Sequence, residues 1–150
     1  MNALIIYYSL SGNTAQAAKY VAKGMESENA VVTTMNVNKA QIEDLNNKDI
    51  VVFGTPNHAG SPAMLLRKFL NSLSDTALAG KKVSTFATFL FWKGDVLTTI
   101  EEIAQDKGAT NIVPGYARRT SFLLNLWSVI TGTTEDEEAW IAFGKQIATS

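Results

Sequence analysis

Three stretches of this sequence gather side chains able to do chemistry. The first is Ser9-Leu10-Ser11-Gly12-Asn13-Thr14, directly after the apolar run Leu4-Ile5-Ile6-Tyr7-Tyr8 and directly before Ala15-Gln16-Ala17-Ala18. A strand, a tight loop and a helix N-terminus together make an anion site, because free backbone N–H groups point outward and the helix dipole favours negative charge. Ser9, Ser11 and Thr14 add hydroxyl donors, Asn13 adds an amide, and Gly12 lets the backbone come close or take φ > 0. The loop lacks the Gly-Lys-Ser/Thr ending of nucleoside-triphosphate loops and the spaced glycines of dinucleotide loops. It also contains no Lys or Arg. Neutral dipoles would hold the anion, which suits a terminal monophosphate on a larger ligand. The bland alternative is a strand–helix turn with Ser and Thr as caps.

The second stretch, Thr55-Pro56-Asn57-His58-Ala59-Gly60, offers a rigid turn, polar tips and a planar side chain. His58 is the sole histidine. It is either a loop residue with no titrating role or a ring packed on a ligand, where a pKa near ~6.5 could couple to ligand protonation. No partner in sequence marks it as a catalytic base. The third stretch, Phe89-Leu90-Phe91-Trp92-Lys93-Gly94, carries three aromatics where solvent-facing loops are normally polar. Aromatics at alternate positions commonly belong to a core, but planar ligands also favour them through offset stacking. Phe91 and Trp92 are not ranked by sequence.

Composition narrows the classes. At 150 residues the chain is expected to form one domain spanning 1–150, long enough to bury ~68–70% of its unfolded surface. It is 46% hydrophobic and 18% charged, ordinary for a water-soluble globular protein. No apolar run approaches the ~20 residues of a membrane span, and no basic segment, apolar core and cleavage site open the chain. The absence of Cys excludes a disulfide framework, thiolate catalysis and Cys-ligated metal. A cytoplasmic location is the expectation, with no membrane partner. A net charge of −1 gives no electrostatic footprint for nucleic acid.

The elements that must position the three stretches alternate between strand and helix. Ala3–Tyr8 reads as a buried strand, and a helix from about Thr14 to Glu28 follows, with Ala15, Ala18, Val21, Ala22 and Met25 on one face. Ala30–Val37 is a second strand, Lys39–Leu45 a short weak helix, and Asp49–Gly54 a third strand, apolar on both faces. A loop covers Thr55–Ser61. Ser61 then caps, and Pro62 opens, a helix whose core face is Leu65, Leu66, Phe69, Leu70 and Leu73. Val83–Thr88 is the fourth strand, and Asp95–Lys107 a helix stopped by Gly108. Asn111–Tyr116 is the fifth strand, which Pro114 makes an edge strand or shortens. The last helix opens on a capping box of Thr134 with Glu137 and runs through Trp140, Ile141, Phe143, Gly144 and Ile147. Phe122–Ile130 is open between core helix, partner surface and lid.

This pattern argues an α/β fold of three layers, a doubly wound five-stranded parallel sheet with helices on both faces. In such sheets the ligand sits at the carboxyl ends of the strands, at the topological switch point. With strand order 2-1-3-4-5, that point lies between the first and third strands, where the first two stretches meet and the third is next in line. A phosphate site flanked by two loops with planar groups suggests a flat aromatic ligand with a phosphorylated tail.

At these residues the chain resembles the flavodoxin family. Ser9–Thr14 is similar to the FMN phosphate loop, Gly54–Gly60 to the first isoalloxazine loop, and Thr88–Gly94 falls where the second lies. The resemblance implies the flavodoxin-like fold and FMN as cofactor. Ser9, Leu10, Ser11, Gly12, Asn13 and Thr14 would hold the phosphate; Thr55, Pro56, Asn57, His58, Ala59 and Gly60 would line one side of the flavin, and Thr88, Phe89, Phe91 and Trp92 the other.

Three departures follow from the residues present. The near-neutral charge argues against steering by a large negative field. Ala59 stands where many flavodoxins have the Gly whose peptide turns toward the flavin in the one-electron state, with Gly60 beside it as a substitute. Lys93 would place a cation near the flavin and favour its reduced, anionic form.

The resemblance implies an electron-transfer protein serving a redox partner protein or a small-molecule electron acceptor, as monomer or homodimer, with no catalytic residue or metal of its own. The alternative is an FMN-dependent NAD(P)H:quinone-type oxidoreductase. A phospho-acceptor receiver would need an Asp at the carboxyl end of the third strand, and Asp49 is at the other end.

Overall fold

The computed structural model describes residues 1–120 and 135–150. Its strands are β1 (Asn2–Tyr7), β2 (Val31–Asn36), β3 (Ile50–His58), β4 (Ser61–Pro62), β5 (Lys82–Phe89) and β6 (Asn111–Arg119). The helices are α1 (Asn13–Ser27), α2 (Met64–Ser72), α3 (Val96–Asp106) and α4 (Glu135–Thr149). β2, β1, β3, β5 and β6 pair in that order, all parallel. This is the expected five-stranded order, with β4 added as a two-residue antiparallel partner of the end of β3.

Alternation along the strands builds the three layers. Ala3 and Ile5 of β1, with Ile50 and Val52 of β3 and Phe86 of β5, meet α1 and α4. Their sequence neighbours Leu4, Ile6, Val51 and Phe53 meet Leu66 and Leu70 of α2 and Ile100 and Ala104 of α3. Strands buried on both faces explain runs such as Leu4-Ile5-Ile6 that show no polar alternation. α1 and α4 touch backbone to backbone: a Cβ added at Gly24 would lie 2.1 Å from the Ile141 carbonyl oxygen, and one at Gly144 equally close to that of Val21.

Several boundaries differ from the sequence expectation. The weak helix at Lys39–Leu45 is a single 3₁₀ turn, Ile42–Leu45, which opens when Asp44 reaches back to the Gln41 N–H at 2.8 Å. The third strand does not end at Gly54. A Cβ there would fall 2.1 Å from the Phe86 ring, so this glycine admits the ring and β3 runs on beside β5 to Pro56 and then, paired with β4, to His58.

Ser61 and Pro62 do not open the next helix, because both pair with β3. The Ala63 N–H then donates to Thr55 Oγ1 at 2.9 Å, keeping the chain extended until Met64. Leu65 is consequently exposed, while Leu66, Leu70 and Leu73 are buried. On α1 it is Ala17, not Ala15, that is buried.

β6 is an edge strand, as Pro114 implies, but it is not shortened. A register shift opposite Thr85 absorbs Pro114 and Gly115, and Glu101 takes the Gly115 N–H at 3.2 Å. The Thr134 capping box and Phe122–Ile130 lie outside the described residues.

Candidate functional site

β1, β3 and β5 deliver their carboxyl ends side by side, and a cleft of about 390 Å³ opens there. Its walls are Leu10, Ser11 and Asn13 from the first stretch, Pro56, Asn57, His58 and Ala59 from the second, and Thr88, Phe89, Leu90, Phe91 and Trp92 from the third, with Thr120 from beyond β6. Among the described residues no carboxylate, lysine or arginine lines it.

The first loop is wound so that its amides are available. Gly12 is in the left-handed region at φ 91° and caps α1 with its carbonyl, which accepts from the Gln16 N–H at 2.9 Å. Ser9 Oγ takes the Gly12 N–H at 3.2 Å. Among the described residues nothing takes up the amides of Leu10, Ser11, Asn13, Thr14 and Ala15. Unpaired amides at the start of a 15-residue helix are a ready anion cradle. Thr14 serves differently from the sequence expectation of a free donor. It is buried, and its hydroxyl shares a 2.8 Å hydrogen bond with that of Thr88, tying the start of α1 to the end of β5.

The second stretch is a β-hairpin. His58 pairs with Ser61, and Ala59 and Gly60 between them both have positive φ, 52° and 89°. That is the backbone of a two-residue I′-type turn, whose twist matches the flanking strands. An alanine in the left-handed region costs ~1–2 kcal/mol, so the surrounding contacts must hold it. Asn57 does so. Its Oδ1 accepts the Gly60 N–H at 2.7 Å and its Nδ2 donates to the Trp92 carbonyl.

The Trp92 indole lies on Gly60, where an added Cβ would be 2.9 Å from Cζ3, and the Gly60 and Gly94 backbones meet directly. The second and third stretches are thus fastened to each other through Asn57 and a pair of glycines. His58 is exposed and meets Tyr8 edge-on, with ring centroids 6.1 Å apart.

Five residues singled out in sequence are near the cleft without lining it: Ser9, Gly12, Thr14, Thr55 and Gly60. Ser9, Gly12 and Thr14 shape the loop, and Gly60 is covered by Trp92. Thr55 is fully buried, its hydroxyl donating to the Pro56 carbonyl at 2.9 Å while accepting from the Ala63 N–H. Leu90 and Thr120 line the cleft and were not singled out. Thr120 sits four residues past the expected end of its strand, Tyr116. Its N–H reaches the Phe89 carbonyl at 2.7 Å only because β6 extends to Arg119.

Beside the cleft, Arg118 donates to Tyr116 Oη and to Asp136, and these partners raise its pKa above the ordinary arginine value, Tyr116 foremost. Asp49 is at the amino end of β3, where it accepts the Asn2 N–H at 2.7 Å, so no receiver-type aspartate stands at the site. Among the described residues no group of three or more His, Cys, Asp or Glu could hold a metal. No described helix is long and apolar enough to cross a membrane.

The flavodoxin family profile (Flavodoxin) matches residues 5–139. A flavodoxin from Maridesulfovibrio salexigens is 37% identical over 117 residues, 73% of this chain and 80% of that one. A flavodoxin from Clostridium beijerinckii is 29% identical over 147 residues, 96% of this chain and 97% of the other. In fold, the chain superposes on oxidised flavodoxin 2 from Bacillus cereus with a TM-score of 0.81 at 23% identity, covering 99% of this chain and 98% of that one. With its unpaired amides, planar walls and switch-point cleft, the chain belongs to the flavodoxin family of FMN-binding electron-transfer proteins.

Proposed function

We propose that the cleft holds FMN with its phosphate against Ser9–Thr14 and its ring system between the 56–59 and 88–92 walls, and that the chain passes electrons to a redox partner protein. One observation carries this reading: among the described residues, amides without a partner at the N-terminus of α1 open beside a cleft walled by aromatic, aliphatic, hydroxyl and amide groups, with no carboxylate, lysine or arginine. That donor set suits a phosphate, and those walls suit an uncharged tricyclic ring. When bound, the flavin supplies one- and two-electron redox chemistry.

The chain's own residues bind, orient and exclude water. Ser11, Asn13 and the loop amides orient the phosphate, and Ser9 and Gly12 keep the loop wound for it. Thr14 and Thr88 join the phosphate loop to the ring walls. Asn57 holds both walls in register, and Phe91 and Trp92 shield the ring face from water.

Comparing FMN with riboflavin tests the phosphate site, since the two differ only in that group. Hydrogen bonds to charged groups contribute ~1.5–3 kcal/mol each, so FMN is expected to bind at least ~100-fold more tightly. Equal affinities would remove the phosphate loop from the account. Sustained NAD(P)H oxidation with a quinone would instead assign a reductase.

A further inference from the structure

The two edges of the sheet are built differently. β6 carries features that keep an edge from pairing: Pro114 has no N–H to offer, a register shift opposite Thr85 interrupts the ladder, and the strand ends on Arg118-Arg119. β2 has none of them. Residues 29–38, Asn-Ala-Val-Val-Thr-Thr-Met-Asn-Val-Asn, contain no charge, no Pro and no Gly, and the β1 register runs through β2 without a shift.

Among the described residues β2 pairs with β1 alone. The Val31 N–H donates to the Met1 carbonyl at 2.8 Å and the Val37 N–H to the Tyr7 carbonyl at 2.7 Å. Bonding residues alternate along a parallel ladder, so Val32, Thr34 and Asn36 turn their backbone groups outward. Among the described residues nothing accepts the N–H of these three. The strand is not covered by side chains either: Val31 is 67% exposed, and Thr33 and Thr34 are exposed. A neutral, β-branched edge with free backbone groups is a template for another strand.

The outward set is self-complementary. A two-fold axis at Thr34 sets this residue opposite its own copy and Val32 opposite Asn36, antiparallel, with the opposed residues exchanging backbone hydrogen bonds. The Asn36 carbonyl already accepts the Lys39 N–H at 2.9 Å and keeps a second lone pair for the other copy. Threonine facing threonine is a favourable cross-strand pair. The charges nearest β2 in sequence are Glu28 before it and Lys39 after it, and antiparallel pairing brings the end that bears one beside the end that bears the other. A head-to-tail stack would need β6 as its other half, where Pro114 and the register shift oppose pairing. We infer that β2 is the interface between two copies of this chain, joined antiparallel at Thr34 into one continuous sheet. The cleft stays open, because β1 stands between β2 and β3.

A six-residue edge is a small contact of the weak, transient class. Sedimentation equilibrium of the FMN-supplemented protein from about 10 µM to about 1 mM covers the affinities such a contact gives. The mass is expected to climb from one chain toward two over that range. Thr34→Lys sets like charges face to face on the axis and is expected to raise the dimer Kd at least ~tenfold, with far-UV circular dichroism unchanged. Thr34→Cys is the second probe, in a chain that has no cysteine of its own. Directly opposed, hydrogen-bonded residues have Cα atoms ~5.5 Å apart, inside the ~4.4–6.8 Å span of a disulfide. Thr33→Cys would meet its own copy only diagonally, at ~7–8 Å, outside that span.

Mild oxidation is expected to link the Thr34→Cys protein into dimers at least ~tenfold faster than the Thr33→Cys protein. A mass of one chain up to about 1 mM would overturn the interface. So would a dimer that a folded Thr34→Lys protein still forms, since the contact would then lie elsewhere. Equal cross-linking at positions 33 and 34 would reduce it to random collision, and this comparison decides the matter if the lysine variant does not fold. Thr34 lies outside the cleft, so failure to retain FMN would defeat the cofactor reading and leave these tests of the edge standing.

Discussion

Asn57 is the residue on which the geometry of the cleft walls turns, and replacing it gives a sharp prediction. Asn57→Ala removes the acceptor for the Gly60 N–H and the donor to the Trp92 carbonyl together. Each such bond contributes ~0.5–1.5 kcal/mol net. The site is only half-buried, so water can partly satisfy both freed groups, and a total of about 1–2 kcal/mol follows. None of this involves the hydrophobic core, since Ala59 and Trp92 are exposed and Gly60 sits at a hairpin tip.

The loss therefore falls on the order of the two walls. Titrating the FMN-free protein with FMN, followed by quenching of flavin fluorescence, is expected to show Kd rising about 5–30-fold. Riboflavin should weaken by the same factor, because the phosphate loop is untouched. Asn57→Asp keeps the acceptor for Gly60 and loses the donor, so it should fall between wild type and Asn57→Ala. The reasoning fails if FMN affinity is unchanged, or if FMN weakens while riboflavin does not.

Other expectations come from the same contacts. Gly60→Ala puts a Cβ 2.9 Å from Trp92 at φ 89°, so it should cost ~1–3 kcal/mol and shift Trp92 fluorescence. Ala59→Gly relieves the left-handed strain at φ 52° but enlarges the freedom of the unfolded chain, so thermal stability should change by less than ~1 kcal/mol. Gly144→Ala forces a methyl to within 2.1 Å of the Val21 carbonyl oxygen, and the melting temperature should drop by about 4–10 °C with FMN affinity retained. Thr14→Val leaves the buried Thr88 hydroxyl without its partner and should lower stability by ~1–3 kcal/mol, with Thr14→Ser restoring most of it.

What could be read from the residues follows from how local each signal is. The continuous apolar runs of β1 and β3 and the helical spacing between them are local patterns, and they lead to the parallel sheet and its strand order. The anion-cradle loop Ser9–Thr14 is legible because strand, loop and helix N-terminus adjoin in sequence. The end of β3 is not, because Gly54 reads as a turn residue until Phe86, 32 positions away, is seen to need its missing Cβ.

The same holds for the hairpin. Ser61-Pro62 carries good helix-opening chemistry, yet the hydrogen bond from the Ala63 N–H to Thr55 Oγ1 holds it extended. The constraint on Ala59 is legible from its place before Gly60, but the role of Asn57 as the bridge to Trp92 depends on a contact across 35 residues. Thr120 carries no local signal, because its reach to Phe89 requires the continuation of β6 past Pro114.

Anaerobic photoreduction of the purified protein, after addition of FMN and removal of the excess by desalting, tests the central claim most directly. The account predicts one FMN retained per chain, a visible flavin spectrum, and two separable one-electron steps during illumination. Passage of all the flavin through the desalting column would contradict FMN binding. Retained flavin that goes to the two-electron form in a single step, together with sustained NAD(P)H consumption in the presence of a quinone, would contradict the carrier role.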